Sequence, residues 1–190
     1  WLGNSPEHVF LFFAVAKVGA VLVPINTRFR TRDMAYVVQQ SDATTLISAD
    51  RAAGADYLAM IEELVPDLRL QKPGAMRVTD LPELRRVLLL SDEKVPGILR
   101  WEDLLREAAS VPDGELARRS AEVDPGGTAY IMYTSGTTGF PKGVMQGHNV
   151  IRNVCDEANR MGVTPNDSTL DYLPLYHAFA VGASPDGATK

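Results

Sequence analysis

The most informative stretch of the sequence crowds glycines, hydroxyl side chains and one lysine into a single loop. Residues 133–144 read Tyr-Thr-Ser-Gly-Thr-Thr-Gly-Phe-Pro-Lys-Gly-Val. Glycines let backbone N–H groups approach an anion closely, hydroxyls add further donors, and a lysine adds positive charge. A polyphosphate needs these groups, so we predict a phosphate site formed by Thr134, Ser135, Gly136, Thr137, Thr138, Gly139 and Lys142. The alternative is a flexible surface hairpin that binds nothing.

The residues around Lys142 separate this candidate phosphate loop (residues 133–144) from the common P-loop. The P-loop motif places Gly-Lys-Ser/Thr at the start of a helix. Here Pro141 precedes the lysine and Gly143, which lets the backbone pass close to a phosphate, follows it. The next residues have the composition of a strand, so we expect the loop to join two strands as a hairpin, without help from a helix dipole. A helix starting directly after Lys142 would favour a P-loop hydrolase instead.

His177 is a second candidate group, at the end of a Pro-Leu-Tyr-His turn. Taken alone, it is better explained as a turn histidine bonded to backbone than as a functional group. We expect His148 to be a helix cap or a surface residue, and His8 to be solvated. Cys155 is expected in the core or half-buried on a helix. The acidic residues are scattered, and the sequence contains no evident metal-ligand cluster.

The elements around these groups are expected to alternate between strands and helices. That order is typical of an α/β domain with a layered mixed or parallel sheet and flanking helices. Ser5 and Pro6 suit the cap and first position of a helix that Gly19 ends, and Thr31 suits the cap of a second helix. The second helix is predicted at 32–40, and further helices at 53–64, 101–109 and 149–161. Strands are predicted at 20–25, 44–48, 86–90, 128–134, 142–146 and 169–173. The last helix should turn Val150, Ile151, Val154, Ala158 and Met161 inward, and residues 110–127 should form a linker or surface segment.

Composition narrows the class of partner. The chain has 190 residues and a formal net charge of −5, with 24 acidic and 19 basic residues. This balance gives no electrostatic reason to expect nucleic acid or an anionic membrane. The most apolar stretch, 9–25, is shorter than the roughly 20 residues that span a bilayer. One cysteine cannot form an internal disulfide, so we predict a reducing, cytoplasmic location; the oligomeric state stays open.

Three segments together resemble the adenylate-forming (AMP-binding) superfamily. The loop matches that superfamily's signature at every fixed position, residues 2–26 resemble its early helix and strand, and residues 173–177 resemble its Pro-Leu-Phe-His turn. The resemblance therefore implies part of the large N-terminal domain of such an enzyme. Phe140 and the Met-Gln-Gly-His segment 145–148 look most like fatty-acyl-CoA synthetases, while aryl-CoA ligases and peptide-synthetase adenylation domains stay open as alternatives.

The resemblance also implies a reaction and roles for individual residues. ATP, with Mg²⁺, and a small-molecule carboxylate, expected to be a fatty acid, would give an acyl-adenylate and pyrophosphate, and coenzyme A would then form the thioester. The loop from Thr134 to Lys142 would hold the β- and γ-phosphates. Lys142 and Thr138 would take part in catalysis, and His177 would lie beside the carboxylate and the α-phosphate.

Several superfamily signatures are missing from the sequence, including the Tyr-Gly-x-Thr-Glu segment. We therefore expect residues 1–190 to be a fragment of the AMP-binding N-terminal domain with little or no ligase activity of its own. Residues 180–190 are short, small and polar where the superfamily has an apolar helix, and they form an atypical tail. The rival reading is a catalytically inactive nucleotide- or phosphate-binding module, or a scaffold.

Overall fold

Helices and strands follow one another along the chain in short groups. The computed structural model describes residues 1–52, 54–134, 139–168, 170 and 172–177. In chain order the elements are α1 (Pro6–Lys17), α2 (Thr31–Gln40), β1 (Thr45–Ala49), β2 (Arg51–Ala52), β3 (Ala55–Asp56), α3 (Tyr57–Leu64), a 3-10 turn (Leu68–Leu70), β4 (Arg86–Leu90), β5 (Leu99–Arg100), α4 (Trp101–Ala108), α5 (Glu115–Glu122), β6 (Thr128–Thr134), β7 (Lys142–Gly147) and α6 (Asn149–Arg160).

The chain folds as two units. The first unit comprises Trp1–Gly3 and Ile25–Glu115, and the second comprises Asn4–Pro24 and Leu116–Lys190. No described helix is long and apolar enough to cross a membrane.

A parallel sheet with the strand order β1-β4-β5 forms the centre of the first unit. In β4, the apolar run Val87, Leu88 and Leu89 is buried. A parallel strand covered on both faces requires such a continuous run, rather than alternation. The structure confirms the α/β class and the strand predicted at 86–90, and it shifts the strand predicted at 44–48 by one residue.

Trp1 lies against the same sheet. Its backbone nitrogen donates to the carbonyl oxygen of Ile47 at 2.7 Å, and its carbonyl oxygen accepts from the backbone N–H of Ala49 at 3.4 Å. The indole stacks on Tyr57 with ring centroids 3.8 Å apart. The Tyr57 hydroxyl donates to the carbonyl oxygen of Thr27 at 2.6 Å. One buried aromatic pair thus joins the sheet edge, the loop before α2 and the start of α3.

The prediction that Thr31 caps α2 is wrong, because Thr31 is itself the first helical residue. The backbone N–H of Arg30 donates to the carboxylate of Asp33 at 3.2 Å. An acidic side chain at the third helical position satisfies this donor in the manner of a capping box. The Thr31 hydroxyl is left to donate to Glu63, at 2.7 Å.

The helix predicted at 53–64 starts later, at Tyr57. Strands β2 and β3 pair ahead of it as a short antiparallel hairpin, and Gly54, with φ of +74°, makes the turn between them. The Asp56 carboxylate then accepts from the backbone N–H of Ala59 at 2.9 Å. A turn glycine and an acidic cap therefore set the start of α3.

In the second unit, α1 begins and ends as predicted. Ser5 caps it by accepting from the backbone N–H of His8 at 3.3 Å, Pro6 is its first residue, and Gly19 follows its end with φ of +74°. The strand predicted at 20–25 is reduced to one parallel bridge between Leu22 and Tyr130. Pro24 has no N–H and cannot continue the pairing.

The segment predicted as a linker, 110–127, contains α5. Its side chains are almost all exposed. Arg118 and Glu122 form an i,i+4 ion pair at 2.6 Å along it. The Ser120 hydroxyl donates to the carbonyl oxygen of Lys17 at 2.9 Å, at the end of α1. Contacts local to the helix and its end, rather than burial of one face, hold this element.

The buried cluster of the second unit is small. It consists of Ala129, Tyr130 and Met132 on β6, packed against the partly buried Phe12, Leu22 and Val150. Helix α6 confirms the prediction at 149–161 except in its burial: Val154 is its buried residue, whereas Met161 is 64% exposed. The strand predicted at 169–173 includes positions 169 and 171, which lie outside the described residues, as does the tail 180–190.

Candidate functional site

The candidate phosphate loop sits at the end of an antiparallel hairpin. Strands β6 and β7 pair up to Thr134 and Lys142, which stand directly opposite each other. The Thr134 hydroxyl donates to the carbonyl oxygen of Lys142 at 3.4 Å. The hairpin prediction is confirmed, and a P-loop is excluded because Lys142 begins a strand and not a helix. The positions Ser135, Gly136, Thr137 and Thr138 lie outside the described residues.

The structure brings Thr134 and Lys142 together at the mouth of the loop. Residues directly opposite in an antiparallel pair have Cβ atoms roughly 5 Å apart and point to the same face of the hairpin. Both side chains are exposed. The Thr134 hydroxyl and the Lys142 ammonium group thus lie on one exposed face beside the last pair of the ladder. The hydroxyl must turn away from the Lys142 carbonyl oxygen before it can donate to a ligand. This arrangement suits an anion that arrives from solution.

The two described glycines of the loop serve different purposes. A Cβ added at Gly143 would lie 2.9 Å from Cγ2 of Ile131 and 3.2 Å from Cζ of Tyr133. Cross-strand side chains therefore fill the space that a Cβ at Gly143 would need, which gives this glycine a packing role. That its backbone passes close to a phosphate stays a prediction. At Gly139 an added Cβ would meet no described atom within 4 Å, and its φ lies outside the left-handed range. Neither packing nor backbone conformation in the described structure demands a glycine there.

His177 lies on a separate turn of the same unit. Its backbone N–H donates to the carbonyl oxygen of Pro174 at 2.9 Å, which closes the turn, and its side chain is exposed. The segment before it is tied to Asn4: the side-chain nitrogen of Asn4 donates to the carbonyl oxygen of Leu173 at 2.7 Å, and the side-chain oxygen accepts from the backbone N–H of Leu175 at 2.9 Å. Sequence reasoning did not single out Asn4, since no spacing rule links residues so far apart.

The remaining candidates divide. His148 occupies the N-cap position of α6 without a side-chain capping bond, and Cys155 is half-buried on that helix, as expected. The prediction that His8 is solvated is wrong: it is 7% exposed, because the first turn of α1 faces inward there.

The described part of the chain has no group of three His, Cys, Asp or Glu side chains placed to hold a metal ion. Mg²⁺ is implied by the resemblance, but the described residues supply no carboxylate set that fits it, and no step below depends on it.

Comparison with known proteins places these features in a family. The family model described as AMP-binding enzyme matches residues 1–185. A Bacillus subtilis (strain 168) protein, YngI, named as a candidate acyl-CoA synthetase, is 37% identical over 180 residues, covering 94% of this chain and 33% of its own length. The medium-chain acyl-CoA ligase ACSF2 of Danio rerio is 28% identical over 182 residues, covering 94% of this chain and 30% of its own length.

The same fold appears in a solved structure. The anthranilate CoA ligase AuaEII, crystallised with anthranoyl-AMP, superposes with a TM-score of 0.76 at 24% identity, covering 95% of this chain and 30% of that one. The chain thus spans about a third of the length of the relatives it matches. The family match over nearly the whole chain, joined to the hairpin-borne loop, establishes that this chain belongs to the AMP-binding, adenylate-forming enzyme family.

Proposed function

We propose that the protein containing this chain is an acid–thiol ligase. A carboxylate oxygen attacks the α-phosphorus of ATP, the α–β anhydride bond breaks, and pyrophosphate leaves. The sulfur of coenzyme A then attacks the acyl carbonyl carbon, AMP leaves and the thioester remains. Family membership supports the reaction class. Residues 1–190 would form part of the AMP-binding N-terminal domain and, spanning about a third of the relatives' length, would have little or no ligase activity alone.

The observation that carries the proposal is the last residue pair of the β6–β7 hairpin, next to the candidate phosphate loop. There Thr134 and Lys142 face each other at the mouth of the loop. A developing pyrophosphate gains negative charge as the anhydride breaks, so fixed donors at its oxygens stabilise the transition state more than the ground state. We assign this role to Lys142 and the hydroxyl of Thr134, joined by Ser135, Gly136, Thr137, Thr138 and Gly139 from the sequence. His177 is proposed to contact the acid's carboxylate or the α-phosphate.

A fatty acid is the proposed acid. Phe140 and the segment 145–148 support it, together with the Danio rerio relative, which is named a medium-chain acyl-CoA ligase. An aryl acid is the second candidate. The cytoplasmic location stays a prediction that rests on the single cysteine.

The test is acid-dependent exchange of labelled pyrophosphate into ATP by the complete protein, with panels of fatty and aryl acids. We expect exchange with fatty acids, and about a 100-fold loss in Lys142→Ala, the factor typical of losing one such donor. Lys72→Ala is the matched control, because it removes the same charge from an exposed site of the first unit and should leave exchange unchanged.

Calorimetry distinguishes the ligase from the rival hypothesis, a non-catalytic nucleotide- or phosphate-binding module. Binding of ATP and pyrophosphate that Lys142→Ala abolishes, with no exchange for any acid, identifies a non-catalytic binding module. Equal exchange rates in wild type and Lys142→Ala contradict the role given to the loop.

A further inference from the structure

The side chain of Asn4 makes a two-sided contact with the backbone of the turn that carries His177. Its amide nitrogen donates to the carbonyl oxygen of Leu173 at 2.7 Å, and its amide oxygen accepts from the N–H of Leu175 at 2.9 Å. A primary amide has both a donor and an acceptor, and here each is used on a different residue. The two backbone groups flank Pro174, which has no N–H of its own.

The Asn4 side chain makes the same pair of hydrogen bonds that the backbone of a neighbouring parallel strand would make. In a parallel ladder one residue bonds the carbonyl before and the N–H after the residue opposite it. Side-chain packing adds little at the start of this segment, since Tyr172 is 78% exposed. Two hydrogen bonds at fixed geometry therefore set where the turn begins, three residues ahead of His177.

Asn4 is itself held in place. It precedes Ser5, whose hydroxyl caps α1, and Pro6, the first residue of that helix. The helix is packed on β6 through Phe12 and Tyr130, whose ring centroids lie 5.6 Å apart. Strand β6 ends at Thr134, where the candidate phosphate loop begins. Asn4 and α1 therefore link the His177 turn to the strand that carries this loop.

We propose that Asn4 is a positioning residue for His177: its amide fixes the Pro-Leu-Tyr-His turn so that the imidazole is presented to the acid's carboxylate or the α-phosphate during adenylate formation. The role rests on the proposed function. It adds a residue that acts through the backbone and need not touch a substrate.

The test uses the complete protein and adenylate formation measured by pyrophosphate exchange. Asn4→Ala should lower kcat about 10- to 100-fold, the range expected when a reacting group is misplaced by about 1 Å. The KM for ATP should change little, because the loop that binds its phosphates is untouched. In a His177→Ala background, Asn4→Ala should cost nothing further, since residues that act as a unit are non-additive. A merely structural role would lower the rate in both backgrounds.

Two matched variants sharpen this test. Asn4→Asp keeps the acceptor for Leu175 and loses the donor to Leu173 at neutral pH, so its kcat should fall between wild type and Asn4→Ala. Asn153→Ala removes the same amide from an exposed position of α6 and should match wild type. Hydrogen exchange supplies a readout without activity: the Leu175 amide should exchange about tenfold faster in Asn4→Ala.

The outcomes separate the two proposals. If none of the tested acids supports pyrophosphate exchange by the wild-type protein, the proposed function is overturned, and with it the catalytic role of Asn4. An active wild type with unchanged kcat in Asn4→Ala, or equal losses in both His177 backgrounds, overturns the positioning role alone. Equal exchange of the Leu175 amide in wild type and Asn4→Ala overturns the anchor itself.

Discussion

The two units of this chain differ in how far their apolar side chains are buried. In the first unit the apolar side chains of β4, α2 and α3 are buried together, with Val37, Tyr57, Ile61 and Val87 fully enclosed. In the second unit the buried cluster is centred on three residues of β6, while apolar side chains such as Phe10 and Met145 face solvent. The first unit is thus specified by packing. The second unit carries the hairpin and the turn that present the candidate functional groups.

The same contrast appears in single glycines. Gly97 of the first unit has φ of +81°, and an added Cβ would lie 1.9 Å from the carbonyl oxygen of Leu68. Gly143 of the second unit is enclosed by side chains, which can move, rather than by backbone. The cost of adding one methyl group should therefore differ between the units, and this difference can be measured.

The largest effect is expected for Gly97→Ala. The left-handed backbone costs about 1–2 kcal/mol for a residue with a Cβ, and overpacking against a carbonyl that cannot yield adds about 1–3 kcal/mol. We expect the free energy of unfolding, measured by urea titration, to fall by about 3–4 kcal/mol. Gly74→Ala is the matched control: its φ is +84°, but an added Cβ meets nothing within 4 Å, so it should lose only the backbone part. Equal losses in the two variants would contradict the account of Gly97.

A smaller effect is expected for Gly143→Ala. The nearest atoms belong to the side chains of Ile131 and Tyr133, and rotation of these groups relieves part of the overlap, so the unfolding free energy should fall by about 1–2 kcal/mol. Gly139→Ala is its control and should stay within about 0.5 kcal/mol of wild type. Loss of pyrophosphate binding by Gly139→Ala at unchanged stability would show that a ligand, rather than the fold, requires that glycine. A Gly139→Ala variant as unstable as Gly143→Ala would contradict the account in which packing requires a glycine at 143 but not at 139.

The predictability of the fold from sequence also differs between the units. Strand β4 was predictable to the residue because a buried parallel strand carries an uninterrupted apolar run. Helix α1 was predictable because Ser5 and Pro6 mark its start locally. Helix α5 was not predicted because the prolines and glycines on either side of it indicate a linker, and because its side chains are almost all exposed. The strand at 20–25 was overpredicted because apolar composition does not reveal that Pro24 stops the pairing.

The site divides along the same line. The hairpin around Lys142 could be predicted because the loop lacks the Gly-Lys-Ser/Thr order of a P-loop and the residues that follow Gly143 have the composition of a strand. The side chains that surround Gly143 could not be predicted, because they depend on which residues of β6 lie opposite Gly143 in the strand register. The link from Asn4 to Leu173 and Leu175 depends on tertiary structure alone, so sequence separation hides it.

The smallest effect concerns pH and a surface turn of the second unit, after α6. The backbone N–H and the hydroxyl of Thr164 donate to the carboxylate of Asp167 at 2.7 and 2.8 Å, and these bonds, the backbone one foremost, hold the pKa of Asp167 below its ordinary value. A carboxyl whose pKa is lowered by folding stabilises the fold above its unfolded pKa of about 3.9, and this stabilisation is lost as the pH falls through the lowered folded value. Thr164→Val removes the hydroxyl but keeps the backbone donor, so the pKa of Asp167, followed by carboxyl NMR titration, should rise part of the way to its ordinary value. Thr164→Ser keeps both donors and should leave the titration unchanged. An Asp167 titration identical in wild type and Thr164→Val would show that the backbone N–H alone lowers the pKa.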